Sequence, residues 1–479
     1  MSTTTFARGV LASLALVTVA CATNPVTGER QLSLVSEAQE IDMGREAARE
    51  AEGSLGLVDD QELQGYVKRV GLAMAAKSER PSLPWNFAVV DDPTPNAFAL
   101  PGGFIYVTRG LIGLMDSEAE LASVLGHEIG HVTARHSVSM MSRAQLAQIG
   151  LGVGSVLLPD LQPAAVAAGA GLELLFLRYG RDAERQADDL GFRYARSQGY
   201  DMTEMAEVFA ALERAATLEQ QSPLPTWLAS HPSPGERIAS VKERIAATDP
   251  QGTPRAARAE YLRQIDGLVF GDNPRNGFFK GNVFYHPDLR FRLDMPSGWQ
   301  HQNLARAVAG SSKDGTAVLQ LSLVSDMTPA QATERFLSQR GIGARESERD
   351  SINGLPAVVS RFVAETEQGA VQGEVAHLEY GGRTYQLLGF AAANAFGRYQ
   401  SSLSRSIRSF SRVTDRSVLG VQPERIEIVQ LPRRISLERF NSEQPSTVPL
   451  PTLALLNQVG QPSAPLESGR LIKRVVRQS

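Results

Sequence analysis

The chain has 479 residues, of which 42% are hydrophobic and 21% are charged. This is the composition of a globular protein, and the length suggests about three domains. Because the formal net charge is only -4, we expect neither nucleic acid nor a strongly anionic membrane surface as a partner.

Residues 1–20 have the pattern of a signal peptide, with an apolar run that is too short to span a membrane. The run ends at Ala20, and Cys21, the only cysteine in the sequence, follows it. This junction resembles a bacterial lipoprotein signal, which implies that Cys21 is lipidated and becomes the mature N-terminus. Because Ala22 is not acidic, the resemblance implies a periplasmic protein tethered to the outer membrane, with residues 21–34 as the tether.

Residues 35–107 predict two helices followed by short strands. Apolar residues recur at helical spacing in the first part, and short apolar runs separated by proline and glycine follow. The predicted elements are helices from Ser36 to about Glu52 and from Asp59 to Lys77, and strands from Trp85 to Val90, Ala97 to Leu100 and Phe104 to Val107. Taken alone, the stretch from Asn96 to Gly103 predicts an ordinary hairpin.

A further helix is predicted from Ser117 onward, because Ser117 and Glu120 form a capping-box pattern ahead of apolar residues at helical spacing. Gly126 and Gly130 lie one turn apart in this helix, and each costs about 1 kcal/mol relative to alanine. We therefore expect another element to pack closely against this side of the helix.

His127 and His131 are four residues apart, so on a helix they differ by only about 40° around the axis and can bind one ion. Glu128 is rotated by roughly 100° from His127, which places it beside the ion without making it a ready ligand. In metalloproteases with this spacing, zinc lowers the pKa of its water and the glutamate acts as general base. The alternative is a buried helix whose histidines are satisfied by hydrogen bonds.

The segment from Leu146 to Leu177 has very few charges, and a transmembrane hairpin has to be considered for it. Pro159 and Pro163, however, divide the segment into pieces shorter than the ~20 residues that a membrane span requires. We therefore expect core helices or a mobile apolar flap over the active-site cleft.

A catalytic zinc needs a third protein ligand and an open position for water. Glu184 and Asp188 lie on one face of a helix predicted to reach Gly199, since they are four residues apart. We assign Glu184 to the metal and Asp188 to the layer behind it, where a carboxylate orients a ligating imidazole. The alternative is a solvated helix face on which Arg181 and Arg185 form salt bridges.

His231 lies just before a strong helix start, with Ser233 as N-cap, Pro234 at the first helical position and Glu236 as the capping-box residue. Three interpretations of His231 are open. It is a surface histidine, a group that stabilises the tetrahedral oxyanion, or a ligand that fills the open zinc position until substrate displaces it. Arg237, on the new helix, either assists the oxyanion or forms an exposed salt bridge.

Several motifs together resemble the M48 family of zinc endopeptidases, and in particular its secreted bacterial branch. The matching stretches are Asn24 to Gly28, Asn96 to Gly103, Gly126 to His131 with its continuation to His136, Glu184 to Asp188, and His231 to Arg237. The resemblance covers most of residues 24–245. It implies a mainly helical zincin (gluzincin) fold, one Zn²⁺ per chain on His127, His131 and Glu184, and a site role for His231.

The resemblance also places Asn96, Ala97, Phe98, Ala99 and Leu100 in an edge strand beside the zinc. An extended substrate would add to this strand through backbone hydrogen bonds. Because such pairing depends on few side chains, the resemblance implies that protein or peptide substrates of many sequences are accepted.

The second half of the chain predicts a linker and two further modules. Residues 251–277 form the linker, and residues 278–415 alternate strands with two helices, which predicts an α+β domain without a recognisable site. This domain weakly resembles the PsbP type of sandwich. Residues 420–479 predict a small βααβ module that resembles a degenerate LysM domain. Because Pro432-Arg433-Arg434 replaces the usual Gly-Asp-Thr turn, peptidoglycan binding is not expected.

The sequence therefore predicts an α+β protein in which residues 35–250 form a mainly helical zinc peptidase with a small edge-strand sheet. The expected function is hydrolysis of misfolded or stalled cell-envelope proteins, with Glu128 as base and His231 or Arg237 assisting. The alternative is a periplasmic chaperone-like factor for outer-membrane assembly with a latent protease core. The expected partners are protein substrates, the membrane through a lipid on Cys21, and the outer-membrane assembly machinery.

Overall fold

The structure is a computed structural model that describes residues 21–150, 179–218, 227–232, 234–248, 253–324, 326–366 and 369–477. The predicted signal peptide, most of the apolar segment from Leu146 to Leu177, and Ser233 lie outside these residues. No helix within the described ranges is both long enough and apolar enough to cross a bilayer. The chain divides into two compact units, one containing the chain up to Gly271 together with Glu424–Arg477, the other containing Asp272–Pro423.

The first unit is built mainly from helices around a small sheet, which confirms the predicted α+β class with a largely helical peptidase part. Its elements before the second unit are β1 (Cys21–Thr23), β2 (Arg30–Leu32), α1 (Glu37–Leu55), α2 (Gln61–Ala75), β3 (Asn86–Val90), β4 (Ala97–Leu100), β5 (Phe104–Thr108), α3 (Arg109–Leu114), α4 (Glu118–Thr133), α5 (His136–Gly150), α6 (Arg181–Ser197), α7 (Thr203–Leu218), α8 (Trp227–Ser230), α9 (Pro234–Ala246), α10 (Arg258–Gln264) and β6 (Val269–Phe270).

The small sheet has the order β3-β5-β4, with β3 parallel and β4 antiparallel to β5. All three predicted strands are confirmed, and β4 lies at an edge of the described sheet. The side chains of β4 are nonetheless buried, and the ring of Phe98 stacks on Tyr106 with 5.2 Å between centroids. The backbone edge of β4, rather than its side chains, is therefore the part left for pairing.

Helix α4 begins where the sequence predicts it. Ser117 is the N-cap, and its hydroxyl accepts a hydrogen bond from the backbone N–H of Glu120. The second half of the predicted capping box differs, because the Glu120 carboxylate accepts from the backbone N–H of Asp116 instead of Ser117. Every residue of α4 is buried, so this helix forms the centre of the unit.

Glycines bring α4 and α6 into close contact. A Cβ on Gly126 would lie 3.0 Å from the Gly191 oxygen, and a Cβ on Gly130 would lie 3.0 Å from the Cα of Ala187. A Cβ on Gly191 would lie only 2.7 Å from the backbone nitrogen of His127. The predicted close packing at Gly126 and Gly130 is therefore confirmed, and the partner is α6.

The second unit is a sandwich-like arrangement of antiparallel strands with helices. Its elements are β7 (Phe278–Lys280), β8 (Val283–His286), β9 (Phe291–Asp294), β10 (Gln300–Leu304), β11 (Ala307–Ser311), β12 (Ala317–Val324), α11 (Pro329–Leu337), β13 (Ile342–Ile352), β14 (Leu355–Thr366), β15 (Gly369–Tyr380), β16 (Arg383–Ala392), α12 (Phe396–Arg408), β17 (Ser411–Arg412) and α13 (Arg416–Leu419). Its strands form a seven-stranded sheet of order β10-β11-β12-β16-β15-β14-β13 and a four-stranded sheet of order β17-β9-β8-β7.

The C-terminal segment belongs to the first unit. Its elements are β18 (Glu424–Gln430), β19 (Ile435–Ser436), α14 (Leu437–Glu443), α15 (Leu450–Leu456), β20 (Pro465–Leu466) and β21 (Leu471–Arg477). The predicted order of strand, helix, helix and strand is thus present, while the likeness to LysM stays a prediction. Strand β18 pairs with β21 and also with β6, so this segment continues a sheet of the first unit.

A buried lysine joins the C-terminal segment to the start of α4. The Lys473 ammonium is fully buried and donates to the carbonyl oxygens of Gly113 (3.0 Å), Met115 (2.7 Å) and Leu456 (2.7 Å). Its nitrogen also lies 3.3 Å from a carboxylate oxygen of Asp116. These carbonyls lie at the C-terminal ends of α3 and α15. Lys473 therefore supplies hydrogen bonds to unpaired carbonyl oxygens and offsets the partial negative charge at the ends of both helices.

Glu120 is a second buried charged residue at this junction. Its carboxylate accepts hydrogen bonds from the backbone N–H of Asp116 and from Nε2 of Gln458. Burial, followed by the negative charge of Asp116, raises the pKa of Glu120 to about 8. The folded chain therefore keeps a proton on Glu120 at pH values where an unfolded chain has lost it.

The contact between α4 and α6 can be tested at Gly191. We expect Gly191→Ala to lower the free energy of unfolding by about 1–3 kcal/mol, because the new methyl group meets backbone rather than a movable side chain. Urea denaturation measures this change. The control is Gly65→Ala in α2, where a Cβ would be 3.6 Å from Arg69. It should raise stability by about 0.5–1 kcal/mol. Equal stability of the two variants would contradict the close contact.

The proton on Glu120 predicts a pH dependence. Between the ordinary pKa of 4.5 and about 8, the folded state binds a proton that the unfolded state has released, so stability should fall as pH rises. The slope from this group is at most about 1.4 kcal/mol per pH unit. Glu120→Gln keeps an oxygen acceptor but cannot titrate, and its stability should fall less. Urea unfolding at about pH 5, 7 and 9 compares the two, and identical slopes would assign the dependence elsewhere.

Candidate metal centre

Four side chains from three parts of the first unit converge at one point. His127 and His131 come from α4, Glu184 comes from α6, and His231 follows α8. All four are buried, and one ligand atom from each lies within 4.8 Å of the others. Within the described residues this is the one cluster of histidine, cysteine or carboxylate groups able to hold a metal ion.

The spacing of the predicted ligands fits a metal ion. Nε2 of His127 lies 3.0 Å from Nε2 of His131, and these two nitrogens lie 3.7 and 3.5 Å from the Glu184 carboxylate oxygens. Ligands at 2.0–2.1 Å from a tetrahedral zinc are about 3.3 Å apart. The two histidines and the glutamate therefore have the chemistry and the separations of a metal-binding site.

His231 occupies the fourth corner of this cluster. Its Nδ1 lies 3.2 Å from Nε2 of His127 and 3.0 Å from Oε1 of Glu184. Its side chain is only 2% exposed, which excludes the interpretation as a surface histidine. The ring stacks on Trp227 with 4.7 Å between centroids, and the His231 backbone N–H donates to the Trp227 carbonyl.

The layer behind His127 contains Asp188 and Arg237. Oδ1 of Asp188 lies 2.9 Å from Nδ1 of His127, so the carboxylate holds the ring with Nε2 turned towards the cluster. Arg237 donates through Nε to Oδ2 of Asp188 at 2.8 Å, and its Nη1 lies 3.3 Å from Oε2 of Glu184. Burial alone would raise the pKa of Asp188, but the charge and hydrogen bond of Arg237 outweigh it and lower that pKa.

The protonation states suit metal binding. Burial would raise the pKa of Glu184, but its interactions with the surrounding histidines, above all His231, outweigh burial and hold that pKa far below its usual range. Burial lowers the pKa of His131 well below its usual value. The cluster thus combines an ionised carboxylate with a neutral imidazole, the forms in which these residues bind metal.

Glu128 lies beside the cluster with its carboxylate unused. The residue is fully buried, and among the described residues neither of its oxygens has a hydrogen-bond partner. Nε2 of His231 lies 3.6 Å from Oε1, beyond hydrogen-bond reach. Because an unpartnered buried carboxylate is costly, its presence here fits a group that accepts a proton from a bound molecule.

Arg237 lies behind the ligands instead of on an exposed helix face. It is 4% exposed, which is inconsistent with the alternative of an exposed salt bridge. The guanidinium carbon lies 4.2 Å from the ring centroid of Phe209 and 4.4 Å from that of Trp227. The predicted role of Arg237 at the oxyanion stays a prediction.

Aromatic residues around the cluster were missed by the sequence analysis. The ring of Tyr179 stacks on His131 with 3.9 Å between centroids, and its hydroxyl shares a 2.8 Å hydrogen bond with Ser137. Phe209 stacks on Trp227 at 5.4 Å. No spacing rule links residues so far apart in the chain, so no local signal could have identified them.

The predicted substrate strand begins close to the cluster. Pro95, just before β4, accepts a hydrogen bond from the backbone N–H of Trp227, whose ring stacks on His231. Among the described residues, Oδ1 of Asn96 has no hydrogen-bond partner although it is buried. The role of Asn96 to Leu100 in binding substrate stays a prediction.

Comparison with known proteins agrees with this geometry. Residues 61–245 match the family model described as Peptidase family M48. A "Beta-barrel assembly-enhancing protease" of Yersinia pestis is 31% identical over 247 residues, covering 50% of this chain and 50% of that protein. The protein of the same name from Escherichia coli (strain K12) is 30% identical over 263 residues, covering 53% of each. The chain thus spans about half the length of these curated relatives.

Two further proteins are similar to a smaller part of this chain. A "Mitochondrial metalloendopeptidase OMA1" of Arabidopsis thaliana is 34% identical over 184 residues, covering 38% of this chain and 36% of that protein. Among solved structures, cyanobacterial PsbP from Synechocystis sp. PCC 6803 is 12% identical, covering 28% of this chain and 94% of that chain. Its TM-score is 0.24, so the resemblance to PsbP stays a prediction.

The ion pairs of Arg237 predict that replacing this residue strongly destabilises the metal-free protein. Arg237→Met leaves the buried carboxylates of Asp188 and Glu184 without a cation, and we expect a loss of about 3–5 kcal/mol in the free energy of unfolding. Urea denaturation after chelation with EDTA measures it. The control is Arg181→Met, which removes a 69% exposed partner of Glu236 and should change stability by at most about 0.5 kcal/mol. Similar losses of unfolding free energy in both variants would show that Arg237 is not needed to neutralise the two buried carboxylates.

Proposed function

Because residues 61–245 form a domain of peptidase family M48, we propose that this protein is a zinc-dependent endopeptidase. The proposal depends on the meeting of His127, His131 and Glu184 beside the Glu128 carboxylate, whose oxygens accept no hydrogen bond from the described residues. Two histidines and a glutamate are a ligand set of catalytic zinc, and the hydrolysis of a peptide bond also requires a base.

The proposed mechanism assigns each side chain one task. A zinc ion held by His127, His131 and Glu184 would supply a Lewis acid that acidifies water and polarises the scissile carbonyl. Glu128 takes the proton of the attacking water on a carboxylate oxygen and later returns it to the leaving amine. Asp188 keeps His127 oriented by accepting its Nδ1–H.

For His231 we propose the role of a fourth ligand that closes the site until substrate displaces it. Its Nδ1 points into the cluster, within 3.0–3.2 Å of Glu184 and His127. Oxyanion stabilisation is the second role, and it requires the ring to turn away from these partners. The observed position supports the first role.

For Arg237 we propose that it holds Asp188 and Glu184 in place. Its guanidinium faces these two carboxylates and packs on the rings of Phe209 and Trp227. Direct help to the oxyanion would require the guanidinium to leave these contacts.

The proposed substrates are misfolded or stalled proteins of the cell envelope. The two relatives named beta-barrel assembly-enhancing proteases support this class. The relative named a mitochondrial metalloendopeptidase supports the endopeptidase activity alone. We further propose a periplasmic location with a lipid on Cys21 at the outer membrane, contact with the outer-membrane assembly machinery, and substrate pairing along β4. The chaperone-like alternative is not favoured, since a scaffold does not need Glu128 as a base.

The proposal is tested by zinc content and casein cleavage of the full chain and of Glu128→Gln. We expect the variant to keep one zinc per chain and to cleave at least about 100-fold more slowly, because only the general base is lost. Glu379→Gln, an exposed glutamate of the second unit, is the control and should match the wild type. A wild type that binds zinc but cleaves no faster than Glu128→Gln would refute the peptidase assignment.

The same assay applied to His231→Ala distinguishes its two roles. A blocking ligand predicts faster cleavage of casein after its removal, whereas an oxyanion group predicts cleavage slowed by about 10–1000-fold. We expect faster cleavage, because Nδ1 of His231 occupies the position that substrate has to enter.

A further inference from the structure

The partner that orients His131 is a histidine, whereas the partner that orients His127 is the carboxylate of Asp188. Its Nδ1 lies 2.9 Å from Nδ1 of His136, the first residue of α5. Nε2 of His136 in turn lies 2.9 Å from Oε1 of Gln186 on α6. Two hydrogen bonds in series thus connect the ligating histidine to a side chain amide, with no carboxylate in the path.

The chemistry of these atoms determines where each proton lies. The amide oxygen of Gln186 can only accept, so Nε2 of His136 carries a proton and donates it. Nδ1 of a neutral His136 then has a lone pair, which accepts from Nδ1–H of His131. The lone pair of His131 is left on Nε2, the atom that faces His127 and Glu184.

The opposite arrangement is incompatible with metal binding. If the Gln186 amide were turned, its NH₂ group would donate to His136, and Nδ1 of His136 would donate to His131. Nε2 of His131 would then carry the proton and could not bind an ion. The orientation of one amide therefore decides whether His131 is a ligand.

We propose that Gln186 and His136 form a positioning relay that sets His131 as an Nε2 ligand of the metal. The inference rests on the proposed zinc site and assigns it two further residues. Glu184 and Gln186 are two positions apart on α6, about 200° around the helix, so the same helix supplies a ligand on one side and the relay on the other.

The Tyr179 ring supports the same geometry from another direction. It stacks on His131 at 3.9 Å and lies 6.1 Å from the ring of His136. Stacking restrains the plane of the His131 ring but does not select its tautomer. The relay supplies that selection, because only a hydrogen bond distinguishes the two ring nitrogens.

The relay is tested by the zinc affinity of the full chain, measured by competition with a chelator. His136→Leu and Gln186→Met remove the hydrogen bonds at similar volume, and each should weaken zinc binding by about 10–100-fold. In His136→Asn, the amide oxygen takes the place of Nδ1 as the acceptor for His131. In Gln186→Glu, the carboxylate takes the place of the amide oxygen as the acceptor for Nε2–H of His136. Both conservative variants should remain within about threefold of the wild type, since each keeps the acceptor that the relay needs.

The second unit contains a matched control. Nε2 of His377 lies 2.9 Å from Oε1 of Gln386, the same pairing of atoms as in the relay. His377 is fully buried, its Nδ1 is hydrogen-bonded to Thr333, and it does not belong to the metal cluster found among the described residues. His377→Leu and Gln386→Met should leave the zinc affinity unchanged, although they remove an equivalent histidine–glutamine pair.

The outcomes separate the relay from the peptidase assignment. If the wild type binds zinc and His136→Leu and Gln186→Met bind it equally well, the relay is refuted while the zinc site stands. Equal weakening in His136→Leu and His136→Asn would also refute it, since packing rather than the acceptor would then matter. A wild type that binds no zinc would overturn both proposals.

Discussion

The close contact between α4 and α6 is the constraint on which the candidate site depends. A Cβ on Gly126 or Gly130 would lie 3.0 Å from the backbone of α6, and a Cβ on Gly191 would lie 2.7 Å from the backbone of α4, so none fits without a shift. The two helix backbones therefore approach far more closely than helices separated by large side chains. Only at this separation can a short carboxylate from α6 reach the ring nitrogens of two histidines on α4.

Buried carboxylates this close together require a positive charge beside them. A basic side chain supplies it at each end of α4. At the metal end, Arg237 neutralises Asp188 and Glu184 while its flat faces pack on aromatic rings. At the other end, Lys473 meets Asp116 and the terminal carbonyls of two short helices. Because Lys473 comes from the C-terminal segment, that segment is part of the first unit's own packing.

The candidate site combines strong order with one unused group. The imidazoles and carboxylates of the cluster all have partners that restrict their orientation, whereas the buried oxygens of Glu128 have none among the described residues. Ordered side chains around a buried carboxylate without hydrogen bonds are the arrangement expected where binding of water or substrate completes the hydrogen bonding. The fixed orientation of the cluster and the free hydrogen-bonding capacity of Glu128 are therefore both explained by a site that binds water or substrate.

Short-range spacing determined much of this protein without any structure. The N-cap at Ser117, the shared face of His127 and His131, and the pair Glu184 and Asp188 all follow from helix geometry over a few residues. The βααβ order of the C-terminal segment was predictable in the same way, because turns and alternation mark short strands. The edge position of β4 was implied by the resemblance to the M48 family, since the residues alone predicted an ordinary hairpin.

Only the tertiary structure decided how these pieces meet. The burial of His231, the turn of Arg237 towards the carboxylates, the stacking of Tyr179 and the reach of Lys473 to α3 involve residues separated by tens to hundreds of positions. Periodicity describes which face of an element is apolar but not which other element covers it. The partners of a buried polar group are set by packing, and for that reason they become visible only once the helices are assembled.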